Sequence, residues 1–124
     1  MDVSGEVEEV SDTYGNLIAF QLGAYKDEES AKRIAEEHDA IVVQEENYYV
    51  VYNAILSNSS NIDRMMDILD NDQVFYYAKV ISASDLYIGE LYKYEELMKN
   101  CTSDIAFLKL VNQILKKYEV TYEY

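Results

Sequence analysis

The chain has 124 residues, 49% of them hydrophobic, with 24 acidic against 10 basic side chains and a formal net charge of −14. That length suits one domain with an appendage, and the apolar share is enough for a core. An acidic surface repels phosphate backbones and anionic lipid, which excludes nucleic-acid binding and docking on such membranes. Residues 1–84 carry 17 acidic and 5 basic side chains, and residues 85–124 carry 7 and 5. The acidity therefore sits in the first two thirds. A single cysteine, Cys101, excludes an intramolecular disulfide.

Residues 1–14 are polar, acidic and without period, and are read as a lead-in or linker. They lack the basic start and apolar stretch of a secretory signal. No stretch of the chain approaches the ~20 apolar residues of a membrane span, so no direct membrane insertion is expected.

The stretch LIAFQLGAY, residues 17–25, predicts a strand. Alternation puts Ile18, Phe20, Leu22 and Ala24 on one face and Leu17, Ala19, Gln21, Gly23 and Tyr25 on the other. The second face, with a Gln in mid-strand, is the candidate for solvent or a ligand. Asp27 is the expected N-cap of a helix over 28–38, with Glu28 and Glu29 in its first turn. Ala31, Ile34 and Ala35 form its apolar stripe.

A second strand is expected over 40–46, a turn at EEN, and a third strand over 48–56. There Val50, Tyr52 and Ala54 alternate with Tyr49, Val51 and Asn53. Ser60 is the expected cap of a helix over 60–71, whose Ile62, Met65, Met66 and Leu69 repeat the stripe of the first helix. A fourth strand follows over 74–82. The order β-α-β-β-α-β is the split βαβ pattern, an α+β, ferredoxin-like (RNP-like) fold. It has a four-stranded antiparallel sheet, both helices on one face and the other face open.

Residues 85–124 predict a C-terminal helical hairpin. Asp85 is the expected cap of the first helix. Asn100 to Ser103 break the chain, and Ser103 or Asp104 caps the second helix. Their apolar stripe either packs on the sheet or binds another helix. The final VTYEY alternates and predicts a short added strand.

Enzyme chemistry finds no support in these residues. His38 is the only histidine, and no Cys or His lies at metal-ligand spacing. Cys101 lies in the interhelical break without a base beside it. There is no glycine-rich phosphate loop. Glu45–Glu46 and Glu95–Glu96 are neighbouring pairs, not carboxylates facing each other across the ~5–10 Å that glycoside cleavage uses. No catalysis, cofactor or metal is expected. The 13 tyrosines suit half-buried packing or a docking surface.

Phe20-Gln21-Leu22-Gly23-Ala24-Tyr25 resembles the opening Val-Gln-(apolar)-Gly-(small)-aromatic segment of SPOR domains. The helix DEESAKRIAEE follows at the family's usual place. Tyr49-Val50-Val51-Tyr52-Asn53-Ala54 is similar to the family's Arg-Val-x-(apolar)-Gly-Pro segment, with Tyr49 where Arg is frequent and Asn53-Ala54 in place of Gly-Pro. The resemblance covers residues 15–84 and leaves 85–124 as an extension. It implies a module that binds peptidoglycan glycan strands stripped of stem peptides, in a bacterial cell-division or sporulation protein. The implied glycan site is the open sheet face: Gln21 and Ala24 from the first strand, Asn47, Tyr49 and Val51 from the third, and Tyr77 or Lys79 from the fourth.

The location expected is extracytoplasmic, at the cell envelope and its septum, if an anchor precedes these residues in the full-length protein, and the cytoplasm otherwise. The alternative is a protein–protein interaction domain of the same fold that has lost glycan binding, pairing with a partner or with itself through residues 85–124. A third reading is a regulatory domain of this fold for a small metabolite.

Overall fold

The computed structural model describes residues 17–123, with side chains as far as Tyr118. The acidic lead-in expected over 1–14 lies outside the described residues. The chain runs β1 (Leu17–Tyr25), α1 (Glu28–His38), β2 (Ile41–Glu45), β3 (Tyr48–Leu56), α2 (Ser59–Asn71), β4 (Tyr77–Ile81), α3 (Asp85–Lys99) and α4 (Asp104–Glu123). The strands form one antiparallel sheet in the order β2-β3-β1-β4. This is the split βαβ arrangement that the pattern predicts, with α1 and α2 on one face.

The helix starts follow from local hydrogen bonding. Asp27 caps α1 by accepting from the Ser30 amide at 3.0 Å and the Ser30 hydroxyl at 2.8 Å. These bonds to Ser30 hold its carboxyl below the ordinary carboxylate range. Asn58, not Ser60, caps α2, accepting from the amides of Ser60 and Asn61. Ser84, not Asp85, caps α3 through the Tyr87 amide. In both cases the cap lies one or two residues earlier than expected, because Asn58 and Ser84 hold the extended backbone of a cap residue. Ser103 accepts from the Ala106 amide at 3.1 Å at the head of α4.

Two strand expectations are corrected. Residues 74–76 do not join β4, which begins at Tyr77. Instead the Tyr76 ring packs at 5.3 Å from that of Phe20. The last residues add no strand: α4 runs on to Glu123.

The buried residues fall into two apolar clusters. The smaller lies under α1, where Ala31 and Ala35 meet Val51, flanked by Leu22, Tyr25, Ile34, Val42 and Tyr49. The larger joins Phe20, Met65 and Leu69 to residues of the C-terminal helices, among them Tyr87, Leu91, Ile114, Leu115 and Tyr118. A large apolar side chain buried in this way contributes about 2–3 kcal/mol.

The helical hairpin is therefore built into the fold. It is tied to the end of the sheet where β3 leaves and β2 enters. Glu95 of α3 is buried, and its carboxylate accepts from the Ser57 amide (2.9 Å), the Ser57 hydroxyl (2.5 Å) and the Asn58 amide (2.8 Å). The Asn61 side-chain amide donates to the Glu95 carbonyl. Arg64 donates to the Cys101 carbonyl at 2.8 Å and pairs with Asp104 at 3.0 Å. On α4, Asn112 donates to the Asp39 carbonyl at 2.6 Å and Lys116 pairs with the Asp39 carboxylate. The Tyr87 hydroxyl donates to the Ile114 carbonyl, closing α3 on α4. Burial of that phenol, with Tyr118 and Glu95 nearby, pushes its ionisation well above the usual range.

The expectation of a wholly open sheet face is corrected by α4. This helix packs against β3 and β2. Ile41, Val43, Val50 and Tyr52, on the face away from α1, are buried in the same cluster as Ile114, Leu115 and Tyr118. An apolar stripe left in water would be unfavourable, and covering these residues removes it. Leu17 and Ala19, on the same face of β1 as Gln21, are fully buried too, so what stays accessible on that face is the part around Gln21, Tyr77 and Lys79 and the β2–β3 turn end.

Glu95→Ala leaves two buried or half-buried amides and a hydroxyl without an acceptor. It is expected to lower stability by about 3 kcal/mol, read as a lower denaturation midpoint at an unchanged denaturant slope.

Candidate glycan-binding face

The accessible part of the sheet is shaped by an irregularity in the β1–β3 pairing. Phe20 faces Ala54, Gln21 faces Tyr52, and Gly23 faces Val51, so the register shifts on either side of Gln21. Strict alternation along β1 fails there, as it does at a bulge. Gln21 and Ala24 share the face of Tyr52 and Val50. Leu22 and Tyr25 turn to the α1 side. Gly23 makes room for this: a Cβ there would lie 2.7 Å from the Tyr25 hydroxyl and 2.9 Å from its ring. Gly23 thus lets Tyr25 fold back over the strand.

On the face away from α1, each strand supplies one member of a polar row. The Tyr52 hydroxyl on β3 donates to one oxygen of Glu45 on β2. The Lys79 ammonium on β4 donates to the other oxygen at 2.5 Å. Lys79 also reaches the Gln21 side-chain oxygen on β1 at 3.5 Å, the outer limit of a hydrogen bond. The ammonium lies 5.6 Å from the centre of the Tyr52 ring, within range of its negative face. Side chains of Lys79 and Glu45 are each about a third exposed, at 29% and 33%, so the pair meets solvent.

Beside this row lies an open hollow of about 620 Å³, lined by Gln21, Ala24, Glu45, Glu46, Tyr48, Val50 and Lys79. Val50 is its buried apolar floor. Tyr48 is 44% exposed on its rim, an apolar plate with a polar tip. Glu46 is in the β2–β3 turn with φ at 53°, a left-handed conformation that a non-glycine residue adopts at a cost. It makes no hydrogen bond or ion pair among the described residues.

Three of the sequence-predicted site residues come together here: Gln21, Ala24 and Lys79. Tyr77 pairs with Gln21 across β1–β4 and is 65% exposed on the same face, toward the sheet edge. Asn47 is exposed in the β2–β3 turn, beside the hollow but outside its lining. Tyr49 and Val51 are corrected. Both lie on the opposite face, under α1, and Val51 is fully buried against Ala31 and Ala35. The β3 residues on the accessible side are Tyr48, Val50 and Tyr52.

Sequence reasoning passed over Glu45, Glu46, Tyr48, Val50 and Tyr52 as site residues. The signal was the short β2–β3 turn, which sets Glu45 opposite Tyr48 and Val43 opposite Val50. From there the face of Glu45 is also the face of Tyr52. Among the described residues, no group of three or more His, Cys, Asp or Glu side chains is placed to hold a metal ion. No helix among them is long and apolar enough to cross a membrane.

No family model matches the chain, and no curated protein matches it. A solved structure is similar to it: the solution structure of the peptidoglycan binding domain of the B. subtilis cell wall lytic enzyme CwlC. The likeness has 27% sequence identity, covers 56% of this chain and 92% of that chain, and has a TM-score of 0.44.

The two faces of β3 are separated by a pair of substitutions. Tyr49→Ala removes packing from beneath α1 and is expected to cost about 2 kcal/mol. Gln21→Ala, on the accessible face, is expected to stay within about 0.5 kcal/mol of the parent. Thermal unfolding of the two variants side by side checks the assignment.

Proposed function

We propose that this chain is a non-catalytic peptidoglycan-binding module of the SPOR type, acting at the cell envelope in a bacterial cell-division or sporulation protein. The observation that carries the reading is the hollow beside Lys79. It gathers Gln21, Ala24 and Lys79, residues that the family resemblance assigns to the glycan site, from β1 and β4, which are far apart in the chain. Its chemistry suits a sugar chain. The Gln21 amide donates to and accepts from hydroxyl and acetamide groups. Tyr48 offers a ring face to a pyranose. The openness of the hollow toward solvent fits an extended polymer lying across it. Glu45 is held by Lys79 and Tyr52, and Glu95 lies past the opposite end of β3, engaged by Ser57 and Asn58, so the two carboxylates do not make a catalytic pair.

A second reading is favoured by the cover that α4 places over Ile41, Val43 and Val50. The chain would then be a protein-interaction domain of the same fold, its former glycan face occupied by its own C-terminal helices. The two readings part in one experiment. Purified sacculi, with and without amidase treatment, are mixed with the protein, and the retained fraction is measured. Glycan recognition is expected to give retention that rises after stem peptides are removed. It is also expected to fall several-fold in Gln21→Ala and Lys79→Ala, each checked for a parental melting temperature. Retention that is absent, or the same before and after amidase, favours the interaction reading.

A further inference from the structure

The hollow has a charge that its position alone does not require. Its lining holds two carboxylates, Glu45 and Glu46, and one ammonium, Lys79. Lys79 is already committed, bound to Glu45 at 2.5 Å in a pair that the Tyr52 hydroxyl completes from the other side. Glu46 is left over. It is exposed, makes no ion pair or hydrogen bond among the described residues, and is held by the tight turn at the rim. The site therefore presents one uncompensated negative charge, beside a tyrosine plate and an amide, on a chain of net charge −14.

Resting on the glycan reading, we propose that this hollow selects amine-bearing sugars: glycan strands whose glucosamine residues have lost their N-acetyl groups. The ammonium at C2 of such a sugar is a compact cation with three donors. It finds an acceptor in Glu46 and faces no competing cation, because Lys79 is neutralised by Glu45. Tyr48 and Glu46 line the same hollow, so a sugar stacked on the Tyr48 ring lies beside the Glu46 carboxylate. An acetamide is neutral and gains hydrogen bonds alone. The ranking that follows is amine over acetamide. The preference for the amine is electrostatic and weakens as salt is raised.

The experiment titrates the full chain with two defined probes, hexamers of N-acetylglucosamine and of fully de-N-acetylated glucosamine, at low and at physiological salt. Binding is read by calorimetry. The de-N-acetylated hexamer is expected to bind up to about fivefold tighter at low salt, the upper size of one solvent-exposed ion pair. Glu46→Gln is expected to remove most of that ratio. Glu96→Gln, which lies on α3 and is paired with Lys99, is expected to keep it while changing net charge by the same amount. Equal affinity of the parent for both hexamers overturns the proposal and leaves glycan binding standing. A preference that survives in Glu46→Gln, or falls equally in both variants, also overturns it, since net charge and not the hollow would then be responsible. If neither hexamer binds and sacculi are not retained, the glycan reading itself has failed and this inference goes with it.

Discussion

The pairing of β1 with β3 is the constraint on which the rest of the molecule depends. These two strands are the inner pair of the sheet, and their register slips on either side of Gln21. A one-residue slip carries every following side chain to the other face. Without it, Ala24 would turn under α1 and Tyr25 would face the polar row. With it, Leu22 and Tyr25 complete the small cluster with Ala31, Ala35 and Val51, while Gln21 and Ala24 stay in reach of Lys79. Gly23 is the residue that tolerates the crowding, since any side chain there would collide with the Tyr25 ring. The strand that resembles a family motif thus has a physical reason for its Gln-x-Gly-small-aromatic order.

The polar row is the second organising feature. It runs Gln21–Lys79–Glu45–Tyr52, one residue from each strand, and every charge in it has a partner. Partly exposed ion pairs contribute little to stability by themselves. Their effect here is on recognition. The pair removes the one lysine from general anion binding and leaves the hollow to be governed by hydrogen bonding, ring stacking and Glu46.

The sequence made the element order legible because each element carries a strong local signal. β1, β3 and α1 fall at the residues that periodicity and the Asp27 cap predict. The face assignment of β3 was not legible. Tyr48 and Tyr49 are alike, and so are Val50 and Val51, so alternation has no polar–apolar contrast to read there. Only the partner strand decides, through pairings that no single stretch encodes. The slip at Gln21 was hidden for the same reason. The part played by α4 was half legible. Its apolar stripe showed that it covers something, but not that Ile41, Val43 and Val50 lie beneath it, because those residues have equally good partners in a sheet with one face in water.

Tyr52 belongs to both halves of this picture. Its hydroxyl ends in the polar row, and its ring stands 6.5 Å from that of Tyr118, which in turn sits 5.1 Å from Tyr87. Three aromatic rings from β3, α4 and α3 so form a continuous hydrophobic bridge between the sheet and the helical hairpin. Parts joined through shared core residues do not melt independently. The sheet and its two late helices are one cooperative unit, and peeling the hairpin away would expose the floor of the sheet at the same moment.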